Sequence, residues 1–93
     1  MARIDLLQPV QLPTRFVRQI ELREPGRRAV AAMADCRLPA GFTDAQTVRF
    51  GARLSGLTEL TFRKLAPRDL AVVKAALENS YADARRRAAA SKG

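Results

Sequence analysis

From Arg68 to Lys92 the sequence contains neither proline nor glycine, whereas the chain before it is cut at Pro13, Pro25, Gly41, Gly56 and Pro67. Proline and glycine end or kink regular structure. The early part is therefore confined to short elements, and only the last quarter has room for a long one. A chain of 93 residues suits one domain. It buries only roughly 60–65% of its unfolded surface, so little apolar area is spare.

Within those limits the hydrophobic pattern assigns types. Residues 6–12 (LLQPVQL) and 15–22 (RFVRQIEL) flank Pro13-Thr14 and read as an N-terminal β-hairpin. Pro9 makes the first run an edge strand, because proline cannot donate a ladder hydrogen bond. A lone hairpin is barely stable in water, so its apolar face needs helices to cover it. Residues 26–36 carry Ala29, Val30, Met33 and Cys36 on one stripe at helical spacing. Leu38-Pro39-Ala40-Gly41 breaks that helix. Thr43 to Gln46 matches a capping box, and the stripe that follows is Ala45, Val48, Ala52 and Ser55, widened by Phe50 and Leu54, with Gly56 as the stop. Residues 58–65 could serve a short helix or a strand, and Thr58 and Thr61 before two cations favour one or two helical turns. Pro67 then opens the longest helix, whose apolar face is Leu70, Val73, Leu77, Tyr81 and Ala84. The expected fold is α+β: a hairpin followed by three or four helices, the last longest. The expected domain spans residues 1–84, and residues 85–93 form a basic tail that frays.

Composition narrows the chemistry. The chain has no histidine, which removes the commonest general base and most zinc sites. Its glycines fit no phosphate-binding loop, and its acids form no cluster with metal-ligand spacing. No enzymatic role, cofactor or metal is expected. A single cysteine, Cys36, excludes an internal disulfide framework; on its apolar stripe it reads as a buried, inert thiol. No window holds 18 uninterrupted apolar residues, and the opening residues lack a secretory apolar run, so neither a membrane span nor a signal peptide is expected. The net charge is +8, and residues 85–93, with Arg85, Arg86, Arg87 and Lys92 and no acid, carry half of it. Clustered arginine can neutralise phosphate, so a small basic nucleic-acid-binding regulator is the alternative reading, with Arg85, Arg86 and Arg87 as its contacts. The bland reading of the triplet is a helix end whose cations complement the dipole. The four phenylalanines are spread among apolar neighbours, which favours core over base stacking.

Four segments taken in order resemble a known family. They are Leu7-Gln8-Pro9-Val10, then Leu22-Arg23-Glu24-Pro25, then Ala52-Arg53-Leu54-Ser55-Gly56-Leu57, and finally Leu65 with Asp69-Leu70. In this order and spacing they resemble the small tail assembly chaperones of tailed bacteriophages, of the Mu-like and "protein E" type. The resemblance covers residues 6 to about 78. It departs at the hairpin turn, where family members usually carry glycine and this chain has Leu12-Pro13-Thr14-Arg15. The Arg-rich end has no counterpart in the family pattern.

The resemblance implies a non-enzymatic chaperone that binds the long helical tape measure protein and keeps it soluble during tail assembly. It implies action in the host bacterial cytoplasm and absence from the mature virion. It further implies a frameshifted, extended form that recruits the tail tube protein; the closing Lys92-Gly93 pair is compatible with a slippery purine run in the coding sequence. From the amphipathic pattern, Leu70, Val73, Leu77 and Tyr81 are the expected partner-binding stripe. A stripe left uncovered in the free protein also predicts a homo-oligomer.

Overall fold

The computed structural model describes residues 2–36 and 41–91. The Leu38-Pro39-Ala40 break and the Lys92-Gly93 pair lie outside them. The architecture is α+β, an antiparallel two-stranded sheet followed by four helices, the last longest.

Strand β1 (Ala2–Gln11) pairs with β2 (Phe16–Leu22) through the turn at residues 12–15, closed by the Leu12 N–H donating to the Arg15 carbonyl at 2.8 Å. β1 begins earlier than the run at residues 6–12 suggests, because Ile4 already faces the core between exposed Arg3 and Asp5. Among the described residues none other than glycine has a positive φ, so a turn without glycine is unstrained. The pairing is not uniform. Asp5 stands opposite Gln19 and Val10 opposite Val17, so residues 6–9 of β1 face Arg18 alone. This wide bulge holds Pro9, which has no N–H to leave orphaned. Its two free donors are satisfied from far away. The backbone N–H groups of Leu7 and Gln8 donate to the two carboxylate oxygens of Asp69, at 2.9 and 3.1 Å. Asp69 is 1% exposed.

Helix α1 (Arg27–Cys36) turns Ala29 and Met33 inwards. Cys36 is half-buried against the core rather than enclosed, and its carbonyl accepts from the Gln46 side chain. Helix α2 (Asp44–Ser55) starts as its sequence predicts, with Thr43 and Gln46 exchanging both capping-box bonds, and stops at Gly56 with φ +76°. Its buried face differs from the expected stripe. Thr47, Val48, Phe50, Gly51 and Leu54 are inside, while Ala45 is exposed. Burying Phe50 and Leu54 removes far more apolar area from water than burying alanine, so the bulky residues set the rotation of the helix. Helix α3 (Glu59–Arg63) is a single short element capped by Thr58. Helix α4 (Pro67–Ser91) continues without interruption through Arg85, Arg86 and Arg87.

The core lies between the inner hairpin face and the helices. Ile20, Leu22, Met33, Phe62, Val73 and Leu77 are 0–1% exposed within it. Gly51 of α2 lies against the Phe62 ring of α3: a Cβ there would sit 2.7 Å from it. Gly51→Ala is therefore expected to destabilise by about 1–3 kcal/mol through overpacking, even though alanine is the better helix former. Urea denaturation reads this directly; a mutant as stable as the parent would show that the ring yields.

The four segments singled out in the sequence meet in pairs. Arg23 of the Leu-Arg-Glu-Pro run donates its backbone N–H and its Nε to the Leu54 carbonyl, and its Nη2 to the Arg53 carbonyl. It thereby satisfies the end of α2 in the Leu-Ser-Gly segment. Asp69 of the Asp-Leu pair holds the strand segment containing Pro9. These residues are joints of the scaffold.

Candidate functional site

The expected partner-binding stripe is mostly interior. Val73 and Leu77 are fully buried, Tyr81 is 7% exposed, and only Leu70 is half-buried. Tyr81 meets Phe42 edge-on, with centroids 6.2 Å apart, and Phe42 in turn contacts Phe50 at 5.7 Å. The Tyr81 hydroxyl accepts a 2.9 Å hydrogen bond from Arg85, whose guanidinium lies 5.8 Å from the ring centroid. The hairpin, α1 and α2 all pack on α4, and they cover the face that the sequence leaves open. Tyr81 is thus not the isolated surface probe that its place near the helix end suggests. A stripe already covered also needs no second copy to shield it.

The arginine triplet of the alternative reading is engaged on the protein's own surface. Arg85 bonds Tyr81, Arg86 pairs with Asp83, and Arg87 reaches Glu24 at 3.5 Å. Each is exposed. Such contacts hold the guanidinium groups along the helix and back to the loop before α1, and each is worth little energetically.

What lies open instead is a groove of about 710 Å³ between the N-terminal half of α2, α3 and the start of α4. Ala45 and Leu70 give it apolar surface over the buried Val48 and Phe62, and Asp44, Arg49, Glu59 and Arg63 add charges of both signs. Glu59 and Arg63 pair across one turn of α3 at 3.3 Å, and Lys74 of α4 reaches Asp44 at 2.6 Å. Leu70 is the one stripe residue that lines this groove. Sequence reading misses the site because it is made by neighbours in space. The one local signal is Gly51, a small residue mid-helix that permits α3 to lie close against α2. Elsewhere Leu7, Phe16, Leu60 and Val72 are large apolar side chains left between 48% and 71% exposed.

Among the described residues no group of His, Cys, Asp and Glu is placed to hold a metal ion, and no helix is long and apolar enough to cross a membrane. Comparison with protein-family models, with curated proteins and with solved structures finds no match for this chain.

Proposed function

We propose that this protein is a phage tail assembly chaperone that binds the tape measure protein, and that it seats tape measure helices in the α2–α3–α4 groove. The resemblance of four ordered segments supplies the family. The observation that carries the binding mode is the groove itself, a narrow apolar floor at Ala45 and Leu70 with a rim of both charge signs. That combination suits an amphipathic helix, whose apolar side enters the floor while its polar flanks meet the rim. A holdase needs such a surface to be modest in area, so that the free protein stays dispersed. In this reading the protein works in the host bacterial cytoplasm and leaves before the particle is complete. A frameshifted extension would then bring the tail tube protein to the same complex.

Ala45 offers a clean test. It lines the groove yet is exposed, so a larger side chain there obstructs the groove without entering the core. Ala45→Trp is expected to melt like the parent and to lower the yield of soluble co-expressed tape measure protein at least about tenfold, the equivalent of losing about 1.4 kcal/mol of binding. An equal yield from the folded variant would show that tape measure helices bind elsewhere.

A further inference from the structure

On another part of the surface, four arginines border one open cleft of about 530 Å³ between the exit of β2, the start of α1 and the end of α2. They are Arg23, Arg27, Arg28 and Arg53, with Glu24 also on the lining. Arg23 is spent on the Leu54 and Arg53 carbonyls. Arg27, Arg28 and Arg53 are exposed, and their guanidinium groups have no carboxylate or carbonyl partner among the described residues. This is the reverse of the C-terminal triplet, where every arginine is engaged.

The placement of Arg27 and Arg28 is costly as it stands. They form the first turn of α1, which contains no acid, so two cations sit where the helix dipole is already positive. An anion in the cleft would relieve both that repulsion and the mutual repulsion of the three free guanidinium groups. We propose that this cleft binds the carboxylates of an acidic protein segment. The planar fork of each guanidinium matches a carboxylate bidentately. Glu24, although paired with Arg87, still breaks the run of positive charge along the cleft, which disfavours a nucleic-acid backbone. An unbroken line of phosphates running through the cleft would have to pass this carboxylate, whereas separate Asp or Glu side chains can reach the arginines from one side. The inference stands on these charges alone and does not depend on the groove or on its partner.

The test uses a fluorescein-labelled, glutamate-rich helical peptide as probe, with the full chain and fluorescence anisotropy as readout. Arg27→Gln, Arg28→Gln and Arg53→Gln are combined in one variant. Arg15→Gln, Arg18→Gln and Arg68→Gln, exposed and outside both the cleft and the groove, form a control of the same net charge with the cleft intact. The cleft variant is expected to bind the peptide about tenfold more weakly, since each exposed pair contributes modestly and three are lost. The control is expected to change affinity less than about threefold, and a glutamine-for-glutamate peptide is expected not to bind. Equal losses in both variants would overturn the proposal, because net charge alone would then explain binding. Failure of the parent to bind the acidic peptide would overturn it as well. So would displacement of the peptide by a single-stranded oligonucleotide of equal charge at lower concentration than by unlabelled peptide.

Discussion

Tyr81→Asp is expected to leave the purified protein largely unfolded. Tyr81 is 7% exposed and edge-on to Phe42, which continues to Phe50, so the aromatic side chain joins α4 to the entry of α2. Truncating a buried aromatic costs about 3–5 kcal/mol. A carboxylate in the same place adds a desolvation penalty, which the exposed Arg85 guanidinium beside it offsets only in part. A domain of this size has a total stability near the low end of about 5–15 kcal/mol, so the loss is comparable to the whole. Tyr81→Phe separates the contributions. It keeps the ring contacts and removes only the hydroxyl that accepts from Arg85, at a cost of about 1 kcal/mol. Circular dichroism during thermal melting distinguishes the two. A Tyr81→Asp protein that melts within a few degrees of the parent would mean that α4 does not seat its ring as described.

Asp69→Ala carries the second large effect, about 3 kcal/mol or more. Both carboxylate oxygens accept backbone donors, from Leu7 and Gln8, and the side chain is almost wholly enclosed. Its removal strands two N–H groups, each costing about 1–3 kcal/mol when unsatisfied. Asp69→Asn retains one acceptor but turns an NH2 group towards a donor, so its cost is expected to fall short of that of alanine. Hydrogen exchange offers a local readout. In a folded Asp69→Asn protein the Leu7 and Gln8 amides should exchange faster, while Ile4 and Ile20, paired beyond the bulge, should keep most of their protection. Uniform loss of protection would assign Asp69 a global role instead.

The contrast between these residues shows what a sequence of this kind reveals. The starts of α2 and α3, the stop at Gly56 and the opening at Pro67 were legible because each depends on chemistry within four residues. The rotation of α2 was not. Ala45, Val48 and Ala52 form a regular stripe, yet Phe50 and Leu54 override it once an interior exists to receive them. The face of α4 was read correctly as apolar, but periodicity is the same whether a partner or the chain's own hairpin covers it. Asp69 entered only as part of a resemblance. Nothing near it in sequence announces that its carboxylate serves two amides some 62 positions away along the chain. The groove and the arginine cleft share that origin, since each assembles from three elements that are neighbours only after folding.

The clamp on residues 7 and 8 has a consequence for the order of events during synthesis. The hairpin emerges first, but the residue that fixes its offset follows 62 positions later. Until α4 begins, only the turn and the pairs next to it hold the register, and a slip of one residue beyond the bulge would send Ile4 to the solvent side. The contact that completes the register is among the longest-range in the chain, and such contacts form late because closing the intervening loop costs entropy. The hairpin is thus translated before the helices and aligned after them.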